Sequence, residues 1–111
     1  MAFTAGGFIY RNVEEQLSGK PLDVLKALYH APRKTLTKND LLKTFWTDSA
    51  VEDSTVSNAV SDARKALVRA MKRAGTKAPR GAKKTYPIMN VNRGGGDGEG
   101  SRTAWKLEDL P

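Results

Sequence analysis

Residues 53–74 read DSTVSNAVSDARKALVRAMKRA, and their apolar side chains recur at intervals of three and four residues. At about 100° per residue, these intervals place the apolar side chains on one face of a single long helix. The apolar positions are Val56, Val60, Ala63, Leu67, Met71 and Ala74. The opposite face is small and polar in its first half and cationic in its second half. We therefore predict a helix over residues 53–74 with one buried and one exposed face.

Two shorter helices are predicted ahead of the long one. In residues 18–31 the apolar side chains follow the helical period, Ser18 is a suitable N-cap, and Pro32 ends the helix. Residues 37–40, TKND, have the form of a capping box and precede the apolar run LLKTFW. The connection to the long helix, residues 47–53, is short and polar.

β-Structure is predicted near both ends of the chain. The run GGFIYRNV at residues 6–13 suits one short strand. Residues 86–92 and 102–107, YPIMNVN and RTAWKL, suit a hairpin with a glycine-rich tip. Residues 75–85 predict a flexible basic connector, because Gly and Pro prevent the helix from continuing.

With 111 residues, the chain fits one small α+β domain in which three helices precede a β-hairpin. This order is that of a winged helix-turn-helix, which places its third helix in the major groove of DNA and its wing near the backbone or minor groove. The predicted parts are an N-terminal arm or short strand at 1–16, three helices at 17–74, the connector at 75–85 and the wing hairpin at 86–107.

Charge is distributed unevenly along the chain. Nineteen Lys and Arg against twelve Asp and Glu give a net charge of +7. Residues 1–62 carry 7 basic and 8 acidic side chains, whereas residues 64–84 carry nine basic ones and no acidic one. Such a stretch repels itself unless a polyanion or counterions neutralise it. The two interpretations are a nucleic-acid surface and an ordinary solvated face.

Composition argues against several other classes of protein. The chain has no Cys and a single His, so it lacks thiolate chemistry and cannot form a histidine metal cage. No apolar run approaches the roughly 18 residues of a membrane span, and no signal peptide is evident, which favours a cytoplasmic protein with no membrane partner. No nucleophile, base and orienting group occur together. We expect no enzyme activity, no cofactor and no metal.

Three segments together carry a family resemblance. Residues 17–46 read LSGKPLDVLKALYHAPRKTLTKNDLLKTFW, residues 53–67 read DSTVSNAVSDARKAL, and NVNRG and AWKL follow towards the end. In this order and spacing they resemble the OmpR/PhoB-type winged helix-turn-helix DNA-binding domain. The resemblance implies a transcriptional regulator that binds double-stranded DNA, with helix 53–74 in the major groove and the 93–102 wing on the backbone or minor groove.

The chain also departs from the family pattern. No receiver domain precedes the helices, so we expect a stand-alone domain without its own phosphorylation switch. Ser54, Ala59 and Asp62 stand where the family often has basic or polar base-reading residues, so the family's operator sequence does not carry over. The family's loop between the second and third helices can contact RNA polymerase, and the resemblance places that contact, or one with another regulatory protein, at residues 47–53.

Candidate DNA contacts lie on the polar face of the long helix and on the wing. Lysine and arginine there could neutralise phosphates, and Asn58 and Ser61 could reach base edges. A carboxylate beside phosphates is repelled unless it accepts from a cytosine amino group or pairs with a cation. Both alternatives are open for Asp62, and of the two we expect pairing with Lys65 or Arg69. The predicted DNA-binding residues are Ser54, Thr55, Asn58, Ser61, Arg64, Lys65, Arg69, Lys72, Arg93 and Arg102.

One alternative belongs to another class of binding module. Winged helices also bind protein partners and structured RNA, and the fold does not settle which. RNA would be recognised by shape and 2′-hydroxyl groups rather than by insertion of a helix.

Overall fold

The structure is a computed structural model that describes residues 1–46, 53–78, 80–81, 85–92, 103–108 and 110. These residues contain six strands, which form two antiparallel sheets, and three α-helices, and both sheets pack with the helices around one core. In chain order they are β1 (Ala2–Thr4), β2 (Gly7–Tyr10), β3 (Val13–Gln16), α1 (Lys20–His30), a 3₁₀ turn (Pro32–Lys34), β4 (Thr35–Thr37), α2 (Lys38–Phe45), α3 (Asp53–Arg73), β5 (Ile88–Asn92) and β6 (Thr103–Leu107).

The N-terminal segment forms a three-stranded sheet in the order β1-β2-β3, not the single short strand predicted from residues 6–13. Two-residue turns join its strands, and the second turn places Arg11 and Asn12 at φ 49° and 66°. This is the left-handed backbone that suits a tight hairpin, but Arg is an unusual residue for it, so the turn signal in the sequence is weak. Gly7 is required at its position, because a Cβ there would clash with the main-chain oxygen of Glu15.

The first two helices match their predicted extents closely. Helix α1 ends at His30, just before Pro32, as predicted, but its N-cap is Gly19 at φ 70° and not Ser18. Helix α2 begins with the predicted capping box: Thr37 Oγ1 accepts from the Asp40 amide, and an Asp40 carboxylate oxygen accepts from the Thr37 amide, both at 3.0 Å. The two hydrogen bonds of this box fix the start of α2 directly after β4.

Helix α3 carries the predicted apolar face. Val56, Val60, Ala63, Leu67 and Met71 are buried, and three further alanines, at 59, 66 and 70, extend the buried face. The helix ends in a glycine cap: the Thr76 amide donates to the Met71 carbonyl and the Gly75 amide to the Lys72 carbonyl, with Gly75 at φ 76°. Tyr10 Oη donates to Thr76 Oγ1 at 3.3 Å, which ties this end of α3 to β2.

The second sheet has the order β4-β6-β5. The predicted hairpin is present as β5 and β6, with Ile88 opposite Leu107 and Asn90 opposite Trp105. The sequence did not predict β4, a three-residue strand between α1 and α2 that pairs with the far side of β6. Of the aromatic side chains near this sheet, Trp105 and Tyr86 are buried in the core, and Phe45 and Trp46 are half-buried against it. The predicted winged helix-turn-helix architecture is therefore confirmed.

Truncating the centre of the α3 face should be costly. Leu67 is fully buried, so Leu67→Ala should lower the free energy of unfolding by about 2–5 kcal/mol through lost contacts and a cavity. Val68, the next residue, is half-exposed, and Val68→Ala is the matched control, with a loss under about 1 kcal/mol. Urea denaturation followed by tryptophan fluorescence measures both. Equal losses would mean that α3 buries a different face.

Candidate nucleic-acid interface

A polar stripe runs along the exposed face of α3. At about 100° per residue, its five members fall within an arc of about 60°. Four of them are exposed, and Ser61 is half-exposed. The stripe consists of Ser54, Asn58, Ser61, Lys65 and Lys72. Thr55, also predicted to bind DNA, is exposed at the margin of the stripe. Hydrogen-bonding groups therefore lie toward the start of the helix, and ammonium groups toward its end.

Arg64 lies beside the stripe and is bonded to the wing. Its Nε and Nη2 donate to the Ile88 carbonyl at 2.9 and 2.7 Å, and Nη2 also donates to Asn90 Oδ1 at 3.2 Å. The side chain is half-buried, and burial lowers the pKa of Arg64 below its ordinary value. The planar guanidinium thus joins the middle of α3 to β5 and sets the position of the wing relative to the helix.

Arg69 is also engaged within the protein, by Glu15 of β3. Its Nε lies 2.9 Å from Glu15 Oε1, and Arg73 Nη1 lies 3.0 Å from Glu15 Oε2. Arg73 Nη1 also donates to the Glu14 carbonyl at 2.7 Å. We refer to Glu15, Arg69 and Arg73 as the Glu15 cluster. It joins the N-terminal sheet to the last turns of α3.

The Glu15 carboxylate occupies a core-facing position of its sheet, in the same row as the buried Phe8. Burial alone raises the pKa of this carboxyl. The hydrogen bonds and positive charges of Arg69 and Arg73 outweigh that effect, so the pKa of Glu15 lies below its usual value. The carboxylate is therefore held in its charged form by two arginines that come from one helix.

The structure does not form the ion pair predicted for Asp62. Within the described part of the chain Asp62 forms no salt bridge with Lys65 or Arg69, and Arg69 is paired with Glu15 instead. Asp62 is simply exposed beside the polar stripe. Arg93, Arg102 and residues 47–52 of the predicted polymerase-contact loop lie outside the described residues, so the predictions for them stay predictions.

Among the described residues, the cations of α3 fall into two groups. Arg64, Arg69 and Arg73 are held by main-chain or carboxylate oxygens, whereas Lys65 and Lys72 form no such bond within the described ranges. Sequence analysis missed Glu15 and Asn90 as partners. The sequence around Glu15 did contain one usable signal. Glu15 lies two residues after Val13 and therefore on the same, core-facing side of the strand, where a buried acid needs a cation.

Metal-ligand groups and membrane-spanning helices are both absent from the described residues. The described residues contain no group of three His, Cys, Asp or Glu side chains able to hold a metal ion. Within the same residues, no helix is long and apolar enough to cross a membrane.

Two sheets, a helix-turn-helix pair and an exposed polar stripe define the class of protein as a winged-helix domain. Comparison with protein families matches residues 12–81 to the family described as "Transcriptional regulatory protein, C terminal". The chain belongs to this family, the OmpR/PhoB-type C-terminal DNA-binding domain of transcription regulators, which is not an enzyme family. Comparisons with curated proteins and with solved structures found no match.

Replacing Arg64 tests the joint between α3 and the wing. Lysine keeps the charge but lacks the planar fork, so Arg64→Lys leaves the buried Ile88 carbonyl poorly satisfied. We expect the free energy of unfolding to fall by about 1–3 kcal/mol. Lys65→Arg, a charge-conserving change at the next residue, is the control. A variant as stable as the parent in urea denaturation would show that these hydrogen bonds do not hold the wing.

The Glu15 cluster predicts a specific dependence of stability on pH. Because the folded-state pKa of Glu15 is depressed, its contribution is complete above the ordinary glutamate pKa of about 4.3 and is lost as pH falls through the folded value. Glu15→Gln should therefore lower the free energy of unfolding at neutral pH. Below about pH 4, the free energy of unfolding of this variant should fall less steeply with pH than that of the parent.

Urea denaturation across that pH range measures the effect. Glu14→Gln is the matched control, because it removes the same charge from an exposed neighbour whose main-chain oxygen, not its carboxylate, accepts from Arg73. If both variants follow the same pH profile, the ion pairs of Glu15 contribute nothing to stability.

Proposed function

We propose that this domain binds double-stranded DNA through the polar stripe of α3, with the first half of the helix in the major groove. The observation that carries the proposal is the order of groups along the stripe. An amide and hydroxyls, suited to base edges, come first, and ammonium groups, suited to phosphates, follow. A solvated helix face has no reason to separate them in this way.

The length of the stripe fits a helix whose axis points into the groove with its N-terminal end first. Asn58 and Lys65 are seven residues apart, which is about 10 Å along the helix axis at 1.5 Å per residue. The major groove is about 8.5 Å deep. When Asn58 reaches a base edge, Lys65 therefore lies close to the level of the phosphates that border the groove. Lys72, seven residues further on, places a second cation about 10 Å farther along the helix axis.

The wing would complete the interface. Arg64 holds β5, and through it the paired strand β6, against the helix that would enter the groove. We infer that Arg93 and Arg102 of the tip contact the backbone or the minor groove, where a narrow groove has a strong negative potential. Residues 64–84, rich in Lys and Arg, would add sequence-independent attraction to the duplex.

Binding to a duplex of random sequence is the direct test. Fluorescence anisotropy at several salt concentrations should show binding that weakens with salt, with a slope in a plot of log K against log salt of about −0.9 per neutralised phosphate. Lys65→Ala should reduce the magnitude of this slope by about 0.9. Lys26→Ala is the control, since Lys26 is an exposed helical lysine of α1 whose loss changes the net charge equally.

Three outcomes would contradict the proposal. The first is no binding at low salt, and the second is equal behaviour of the Lys65 and Lys26 variants. The third is tighter binding to an RNA duplex of the same length, which would favour the alternative of a structured-RNA module. In the first case, partners would be sought among acidic proteins.

A further inference from the structure

The Glu15 cluster sequesters positive charge on the element that would meet DNA. The Glu15 side chain is 9% exposed, and each of its oxygens is taken by a different arginine of α3. The arginine side chains themselves are 54% and 59% exposed, so solvent and a polyanion can reach them. The cluster thus combines a buried anion with two accessible cations.

We propose that Glu15 is a positioning residue for DNA binding, which holds Arg69 and Arg73 off the phosphate backbone and leaves Lys65 and Lys72 as the phosphate-contacting cations of α3. The inference rests on the proposed function, and it replaces the sequence-based expectation that Arg69 is a phosphate contact.

The argument is one of competition between two anions. To neutralise a phosphate, Arg69 must release a charge-assisted hydrogen bond of 2.9 Å to Glu15, and Arg73 must release one of 3.0 Å. Each release leaves the nearly buried Glu15 carboxylate without one of its partners, and this costs more free energy than removing a partner from a carboxylate in solvent. Arg73 must in addition give up the Glu14 carbonyl. Lys65 carries no such penalty from any described residue.

This arrangement changes how the binding free energy is divided between phosphate contacts and base contacts. Cations that contact phosphates tighten binding to every DNA sequence equally, while base contacts favour one. By withholding two arginines from the backbone, Glu15 lowers the affinity for random DNA and leaves the contacts of the stripe's first half unchanged. Because the withheld contacts would act on every sequence equally, the ratio of specific to non-specific affinity stays the same, and base contacts supply a larger share of the binding free energy.

The principal experiment compares Glu15→Gln with Glu14→Gln. The two variants gain the same net charge at adjacent positions, but only the first removes the carboxylate that binds the arginines. Binding to a random-sequence duplex is measured by anisotropy over a salt series. We expect Glu15→Gln to steepen the slope of log K against log salt by about 0.9 for each arginine released, up to about 1.8, and Glu14→Gln to leave it unchanged.

A structural role alone would not move this readout in the same direction. A protein that is merely destabilised binds less DNA, with a slope that does not steepen. Arg69→Ala, introduced into the Glu15→Gln protein, should reduce the magnitude of the slope by about 0.9, back towards the value of the parent protein. Circular dichroism under the assay conditions establishes that each variant is folded.

A second comparison decides the matter if Glu15→Gln does not fold. In the otherwise unchanged protein, Arg69→Ala should leave the slope as it is, while Lys65→Ala, four residues away on the same helix, should lower its magnitude by about 0.9. Equal effects of these two variants, or equal slopes for Glu15→Gln and Glu14→Gln, would overturn the inference and leave DNA binding intact. A parent protein that does not bind duplex DNA would overturn both proposals.

Discussion

Burial of one face of α3 is the constraint on which the rest of the structure depends. Its long apolar face is almost completely removed from water, and α1, α2 and β3 all contact the helix. Alanine at 59, 63, 66 and 70 keeps that face narrow enough for neighbouring elements to approach closely. Because the buried face fixes the rotation of the helix about its axis, the opposite face, with its polar stripe, has a fixed direction too.

Polar bonds then fix the two ends of the domain to this helix. Arg64 holds the wing at the middle of α3, and Arg69 and Arg73 hold the N-terminal sheet at its end. Each bond uses a cation that composition alone would assign to nucleic acid. The basic character of the helix is therefore partly structural, and a count of its positive charges overstates what is available to a phosphate backbone.

The sequence predicted those features that depend on local pattern. Three such features are present: the helical period of α3, the capping box of Thr37 and Asp40, and the pairing of β5 with β6. Each depends on residues that are near one another in the sequence. The strands β1, β3 and β4 were missed, because three or four residues hold too little alternation to detect. The partners of Arg64 and Arg69 were missed for a different reason: they lie 24 and 54 residues away, so nothing in the local sequence indicates them.

The order of strands in the second sheet has a consequence for how the domain folds. Strand β6 lies between β4 and β5, so neither of these neighbours has a partner in that sheet until β6 is in place. Leu36 of β4 meets Trp105 of β6 across 69 residues of chain, a loop whose closure costs much entropy before any pairing is gained. The helices, whose contacts are more local, can form earlier. We therefore expect assembly of the wing sheet to be a late step of folding, with β4 an unpaired edge until then.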